Sequence, residues 1–244
     1  MRTWSDVARY HLVMPWLVVG MPWAIMAFSF VVNLVIFALV PVGHHDVLTS
    51  HGVVQVASAA HNYTGAVAIV YIFFFVIGVN SIGRSLPFGL ALGVSRRSFY
   101  TGTALLGVAL AVADGLALTA LQAIERATGG WGVQMGFFRV PYLLDGPWYL
   151  TWLTSFVGLT LLFVYGMWFG IVYRRWGLIG TIAFTAAQVT VLLAASLLVS
   201  WAHGWTGVHH FFTALTAAGL TGLLAVLALA LLAGGQITLR RATI

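Results

Sequence analysis

Six long apolar segments, joined by shorter polar or glycine-rich connections, limit what this chain can fold into. Each has about 18–25 residues, enough for a helix to cross about 30 Å of hydrocarbon at 1.5 Å per residue. Their apolarity is continuous, whereas strands of a transmembrane barrel alternate at period two. The sequence therefore predicts an all-α membrane protein with six spans: Trp16–Val40, Gly65–Ile82, Phe99–Ala123, Trp148–Val172, Leu178–Ala202 and Phe211–Leu232.

The composition agrees with a polytopic membrane protein. Of the 244 residues, 61% are hydrophobic and only 7% are charged, whereas ordinary globular domains carry about 25% charge. No stretch is polar enough for an additional soluble domain, so we predict a single transmembrane domain over residues 1–244. The first apolar run lacks a small-residue cleavage site, and we expect it to be retained as a span.

The arginines predict how the helices are oriented. All eleven basic residues are arginines, and nine of them lie on one side of the predicted spans: Arg2, Arg9, Arg84, Arg96, Arg97, Arg174, Arg175, Arg240 and Arg241. Arg126 and Arg139 lie on the other side. The positive-inside rule then places both termini in the cytoplasm.

Two shorter segments complete the predicted architecture. Residues 1–14 are predicted to form an interfacial helix, because Trp4, Ala8, His11 and Leu12 recur at helical spacing. Residues 125–147 are the longest connection on the outer side and contain the sequence GGWG, which indicates a compact lid or a partly re-entrant element. The connection from His203 to His210 is expected to be short.

The connection between the second and third spans, residues 84–97, is basic and punctuated by Pro and Gly. Ser85 is predicted to cap a short helix with Pro87 in its first turn, Gly93 to end it, and Ser95 to cap the third span. This segment is either a plain cytoplasmic loop or a docking element for another subunit. The residues assigned to the docking role are Arg84, Ser85, Leu86, Pro87, Phe88, Leu90, Ala91, Leu92, Gly93, Val94, Ser95, Arg96 and Arg97.

Missing residue types exclude several chemistries. Without lysine there is no P-loop for ATP, and the sequence contains no zinc-protease or nucleophile-elbow motif. Without cysteine there are no disulfides, thiolate metal sites or cysteine nucleophiles. We therefore expect no catalytic residues, no metal site and no cofactor in this chain.

The runs SLPFGLALGVSRRSFYTGTALLGVAL and ALQAIERATGGWG resemble permease subunits of the ATP-binding-cassette (ABC) superfamily. More narrowly, they resemble the short six-span exporter permeases of bacteria, related to the ABC type-two group. The resemblance implies that residues 84–97 are the coupling helix, which docks on a separate cytoplasmic ATPase subunit that binds ATP and Mg. It also implies a second permease subunit, identical or related, in the bacterial cell membrane. The short connection between spans five and six departs from related exporters, which often have a long re-entrant hairpin there.

Several polar residues inside the spans are candidates for a substrate pathway. Asp114 lies near the middle of the third span, where an ionised side chain costs at least about 2.5–3.5 kcal/mol. It is either a cavity-lining acid or a hydrogen-bonded structural residue. The weaker candidates are Asn33, Asn80, Gln122 and Gln188.

At the outer end of the third span, Glu125 and Arg126 form either a structural corner, as an ion pair or cap, or a gate. Gly166 and Gly170 predict close helix packing, either within the chain or against a second permease subunit. Seven histidines fall on the outer side: His44, His45, His51, His61, His203, His209 and His210. They leave a polytopic redox or metal-binding subunit, which would use these histidines, as the main alternative to an exporter. A binding-only component for substrate uptake is a second alternative.

Overall fold

The computed structural model describes residues 20–39, 67–139 and 146–241. Its α-helices, renumbered here in chain order, are α1 (Met21–Leu39), α2 (Ala68–Gly83), α3 (Ser85–Ala91), α4 (Arg96–Ala127), α5 (Trp148–Trp201), α6 (Trp205–Ala214) and α7 (Ala217–Arg241). A π-helical turn at Gly130–Gln134 follows α4. Five helical segments are long and apolar enough to cross a membrane, which confirms an all-α membrane protein. The predicted interfacial helix of residues 1–14 lies outside the described residues.

Helix α5 folds back on itself at Gly177. A straight helix of its 54 residues would be about 80 Å long, far more than one membrane crossing requires. Gly177 has φ 65° and ψ −159°, a conformation that is essentially restricted to glycine. The Tyr165 hydroxyl donates a hydrogen bond to Oε1 of Gln188 at 2.5 Å. Residues 148–176 and 178–201 are therefore antiparallel arms of one hairpin, and the reversal lies where the sequence predicts a connection between two spans.

Glycines bring α2 and the first arm of α5 into backbone contact. A Cβ atom at Gly78 would overlap the carbonyl oxygen of Phe163, and one at Gly166 would overlap the carbonyl oxygen of Phe75. A Cβ at Gly170 would lie 2.8 Å from the carbonyl oxygen of Val79. The predicted close packing of Gly166 and Gly170 is thus within the chain, against α2.

The helices alternate in direction, so the bundle has two distinct ends. We call residues 84–97 the elbow, and the end of the bundle that carries it the elbow end. The glycine turn is residues 128–139, and it marks the opposite end, the turn end. The fold-back at Gly177 and the C-terminus of α7 lie at the elbow end. Trp148 and Ala217, which begin α5 and α7, lie at the turn end.

Two predictions about the last part of the chain were wrong. The predicted last span is Phe211–Leu232, whereas the corresponding helix, α7, runs from Ala217 to Arg241, so the predicted start of this span was wrong. The predicted short connection from His203 to His210 instead contains most of α6. The extended backbone of Leu215 (ψ 110°) separates α6 from α7, and Oγ1 of Thr216 accepts a hydrogen bond from the Gly219 N–H at 3.1 Å. These two residues start a new helix within an apolar sequence that hydropathy alone treats as continuous.

Candidate functional sites

The elbow contains a short helix that packs against the bundle. Helix α3 ends in a left-handed Gly93 with φ 79°, and the Val94 N–H donates to the carbonyl oxygen of Gly89 at 3.0 Å. This is the Schellman arrangement that terminates helices at glycine. Gly89 lies against the ring of Phe99 in α4, with no room for a side chain between them. The elbow therefore has a defined orientation relative to α4.

The two helix caps predicted in the elbow have different outcomes. Oγ of Ser95 accepts a hydrogen bond from the Ser98 N–H at 3.1 Å, which confirms Ser95 as the cap of α4. Ser85 is instead the first residue of α3, after a helical Arg84, and no side-chain bond caps that end. The predicted Ser85 cap is wrong because α3 follows α2 after a single residue, so the Arg84 N–H bonds back to the carbonyl oxygen of Asn80.

The apolar side chains of the elbow point in two directions. Leu86 is 1% exposed and Val94 is also buried, so these two residues anchor the segment to the bundle. Phe88 is 63% exposed and Leu92 is 55% exposed. Because they are four residues apart, they lie on one side of the elbow. Arg84 and Arg97 are exposed before and after this pair. The outer surface of the elbow is an apolar pair flanked by positive charge.

At the turn end, a buried carboxylate organises the glycine turn. Glu125 is 1% exposed, and its Oε2 atom accepts hydrogen bonds from Nε1 of Trp131 at 3.0 Å and from the N–H groups of Phe137 and Phe138, both at 2.9 Å. Its Oε1 atom accepts from the Arg139 N–H at 3.2 Å. This geometry supports the structural-corner interpretation of Glu125, in which the carboxylate caps main-chain donors.

The glycine turn uses backbone conformations that favour glycine. Gly129, Gly130 and Gly132 have φ values of 62°, 83° and 76°, and Trp131 between them has φ 61°. A left-handed tryptophan is uncommon, and its indole lies 4.8 Å from the ring of Phe30 in α1, centroid to centroid. Phe30 also contacts Phe137 at 5.2 Å. The GGWG sequence thus forms a compact element that joins α4 to α1.

A cleft of about 380 Å³ lies beside this turn, between the last turns of α4 and the first turn of α5. Its α4 wall is a helical stripe at i, i+3, i+4, i+7 and i+8: Thr119, Gln122, Ala123, Arg126 and Ala127. Trp148 and Thr151 form the opposite wall. Nη1 of Arg126 donates to the carbonyl oxygen of Gly146 at 3.2 Å, so one guanidinium nitrogen holds the chain that enters α5.

The predicted pathway residues lie in different places. Nε1 of Trp23 donates to Oδ1 of Asp114 at 2.8 Å, which links α1 to α4. The side-chain amides of Asn33 and Asn80 bond to carbonyl oxygens in their own helices. Gln122 lines the cleft, whereas Gln188 lines a separate groove of about 420 Å³ between the arms of α5. Gln122 and Gln188 therefore line different cavities.

The structure also identifies cleft residues that the sequence did not single out. Thr119 and Thr151 are buried hydroxyl residues, and Trp148 is 69% exposed at the rim. Thr119 lies three residues before Gln122 and seven before Arg126. This helical spacing would have suggested that all three residues share one face of α4. No sequence pattern indicates the residues of the α5 wall. Their position depends on how the connection between α4 and α5 brings the start of α5 back to α4.

Two of the histidines predicted on the outer side are neighbours in α6. The rings of His209 and His210 lie 6.0 Å apart, centroid to centroid. No group of three His, Cys, Asp or Glu side chains suited to a metal ion occurs in residues 20–39, 67–139 and 146–241. His44, His45, His51 and His61 lie outside those ranges.

The chain has no significant match among known proteins. No protein-family model, curated protein or solved structure significantly matches the chain. Function must therefore be inferred from the elbow, the glycine turn and the cleft.

Proposed function

We propose that this chain is the permease subunit of an ABC exporter in the bacterial cell membrane. In this proposal the chain forms the substrate pathway, and a separate cytoplasmic ATPase subunit binds ATP and Mg. A second permease copy, identical or related, completes the transporter. The observation that carries the proposal is the elbow: its short helix α3 follows α2 after one residue and precedes the membrane-length helix α4, and it has an outward apolar pair between arginines.

The shape of the elbow suits a docking role better than a plain loop. A topology-setting loop needs arginines but has no need for large apolar side chains directed away from the bundle. Phe88 and Leu92 leave an apolar surface that a partner pocket would cover, and Arg84 and Arg97 suit an acidic rim. The buried residues Leu86 and Gly89 hold this surface against α4. A push on the elbow would therefore be transmitted directly to a membrane-length helix.

The distribution of arginines supports the proposed orientation. Arg84, Arg96 and Arg97 belong to the elbow, Arg174 and Arg175 immediately precede the fold-back, and Arg240 and Arg241 end α7. All seven lie at the elbow end, whereas Arg126 and Arg139 lie at the turn end. By the positive-inside rule the elbow end is cytoplasmic. If each arm of α5 crosses the membrane separately, the chain has six spans and both termini lie in the cytoplasm.

The proposed mechanism assigns the chemistry to the partner. Closure of the ATPase around nucleotide would move the elbow and shift the bundle between inward-facing and outward-facing states. Because Phe99 packs directly on Gly89, α4 would receive that movement directly. Asp114, bonded to Trp23, would carry the movement onward from α4 to α1.

The proposal is tested by disrupting the outward face of the elbow. We expect Phe88→Asp and Leu92→Asp each to lower ATPase association at least tenfold, because each replaces about 1.5–3 kcal/mol of apolar burial with a charge to be desolvated. The tagged chain is purified in mild detergent from its native host. ATP hydrolysis is then measured, and the P-loop polypeptide in the eluate is quantified by mass spectrometry.

Phe211→Asp is the matched control, because Phe211 is similarly exposed but lies in α6, away from the elbow. This variant is expected to retain the ATPase. Equal recovery with the elbow variants, or a wild-type chain that carries no ATPase, would contradict the proposal. A stoichiometric metal or haem in the purified protein would instead favour the redox alternative.

A further inference from the structure

We infer that the groove between the two arms of α5 binds an uncharged aromatic carbonyl compound that dissolves in the membrane, of the class of quinones and aromatic ketones. This site goes beyond the proposed coupling to an ATPase, and its occupancy does not require that partner. The groove has a volume of about 420 Å³, and its lining residues are Tyr165 on the first arm and Phe184, Ala187, Gln188, Val191 and Leu192 on the second. This size and a mainly apolar lining are typical of small-molecule sites.

The side-chain amide of Gln188 supplies hydrogen-bond donors to the groove. Its Oε1 atom accepts the Tyr165 hydroxyl at 2.5 Å, so the phenol and the oxygen of the amide are paired with each other. Within residues 20–39, 67–139 and 146–241, no group pairs with the two N–H donors of the same amide. A carbonyl oxygen on a bound molecule would satisfy one of these donors, because it accepts hydrogen bonds and offers none.

The depth of Gln188 makes this missing acceptor significant. Gln188 lies eleven residues after the fold-back at Gly177, which corresponds to about 16 Å along a helix. This is about half of the 30 Å hydrocarbon thickness of a bilayer. No water is present at that depth to pair with an amide, and an unsatisfied polar group there is strongly unfavourable. The molecule that brings the acceptor must therefore dissolve in hydrocarbon.

Aromatic rings connect the two arms beside this amide. The ring of Phe169 lies 5.1 Å from that of Tyr165 and 5.3 Å from that of Phe184, centroid to centroid. Phe75 of α2 lies 5.8 Å from Tyr165 and 5.3 Å from Phe169. All four rings are half-buried. Such rings favour another aromatic ring, which gains edge-to-face or offset contacts that a saturated acyl chain lacks.

The groove is open on its lipid-facing side. Val191 is 66% exposed and Leu192 is 70% exposed, so a molecule dissolved in the bilayer has lateral access to the amide. Among the described residues that line the groove, none is charged. An uncharged molecule is therefore favoured over an ionic one.

Equilibrium dialysis of the protein in detergent tests the inference with two probes of similar shape. Menadione has a methylated double ring with two carbonyl oxygens, whereas 2-methylnaphthalene has the double ring without an acceptor. The chain contains no cysteine that would react with menadione. Relative to partition into protein-free micelles, we expect the wild type to bind menadione at least about fivefold more tightly than 2-methylnaphthalene, the gain from one hydrogen bond to an otherwise unsatisfied donor.

Gln188→Met should remove this preference and keep the binding of 2-methylnaphthalene, because it retains the side-chain length without the N–H donors. Phe184→Ala should weaken the binding of both probes. Asn33→Leu is the matched control, since it removes an amide of α1 that donates to the carbonyl oxygen of Ser29 in its own helix. Equal affinity of the wild type for both probes would overturn the inference, and so would equal loss of the preference in Gln188→Met and Asn33→Leu.

Photolabelling of the wild type locates the site without any substitution. Benzophenone is an aromatic ketone that attaches to nearby C–H groups on irradiation, and peptide mass spectrometry identifies the labelled residues. We expect adducts on the lining residues of the groove that excess menadione suppresses. Adducts only outside the groove would overturn the inference. So would a groove that neither probe enters in a protein that Gln188→Met converts from dimer to monomer, because a second copy of the chain would then fill it.

Discussion

Glu125 illustrates how one buried carboxylate can determine a local fold. Its two oxygen atoms accept four N–H donors from residues six to fourteen positions later in the chain. The glycines between them allow the left-handed backbone that brings these donors together. The corner is therefore a structural element that holds the glycine turn against the end of α4.

We expect Glu125→Ala to destabilise the protein by at least about 1–3 kcal/mol, the cost of leaving even one buried donor without a partner. Glu125→Gln keeps one acceptor oxygen but places an NH₂ group against other donors, so it should also be destabilising. The measurement is thermal stability in detergent, followed by size-exclusion chromatography of heated samples.

The control for this prediction is Thr190→Ala. Thr190 is exposed, and its hydroxyl donates to the carbonyl oxygen of Ala186 in the same helix. Its loss should change stability by less than about 0.5 kcal/mol. If Glu125→Ala were as stable as this control, the four hydrogen bonds would not hold the turn.

Asp114 shows that an intramembrane acid can have a structural partner. The indole N–H of Trp23 donates to it across two helices, which supports the hydrogen-bonded alternative over the cavity alternative. The sequence could not decide between them, because Trp23 lies 91 residues earlier in the chain. Only the packing of α1 on α4 brings the two side chains together.

At the scale of helices, the contact between α2 and the first arm of α5 forms the centre of the bundle. Gly78 contacts the backbone of Phe163, and Gly166 contacts the backbone of Phe75. Each helix thus has a glycine at the point where the backbone of the other helix comes closest. Such close approach stabilises helix pairs in membranes, where lipid provides no hydrophobic drive for association. Both positions therefore require the absence of a side chain.

We expect Gly78→Ala and Gly166→Ala each to lower stability by about 1–3 kcal/mol, because a methyl group would push the two backbones apart. Gly83→Ala in α2 is the matched control, since a Cβ there meets nothing within 4 Å. It should be neutral or stabilising by up to about 1 kcal/mol through helix propensity. Heated-sample chromatography of the three variants checks this expectation, and a similar loss in all three would contradict it.

At the scale of the whole molecule, alternating helices place most of the described arginines at one end. The chain contains no cysteine, so a single introduced cysteine reports its own location without interference. Ala91 in the elbow and Ala202 after the second arm of α5 are exposed at opposite ends. They make suitable reporters of the proposed orientation.

We expect Ala202→Cys to react with a membrane-impermeant maleimide in intact cells, and Ala91→Cys to react only after the cells are opened. The physical reason is the positive-inside rule, which places the arginine-rich elbow end in the cytoplasm. Labelling is quantified by mass shift, and the cysteine-free wild type gives the background. The reverse pattern would invert the topology, and labelling of both sites in intact cells would contradict a complete crossing between them.

The sequence by itself determined that this is an all-helical membrane protein, because about 20 apolar residues in a row leave the backbone no other way to satisfy its hydrogen bonds in lipid. It also located the elbow, its Gly93 stop and its Ser95 cap, since these signals depend on near neighbours in the chain. Tertiary structure alone decided which elbow side chains face outward, where α7 begins, what Asp114 and Glu125 contact, and that a cleft forms beside Arg126. Each of these features depends on how segments that are distant in the chain pack together. Apolar helices can pack in many ways, so the local sequence pattern does not specify which packing forms.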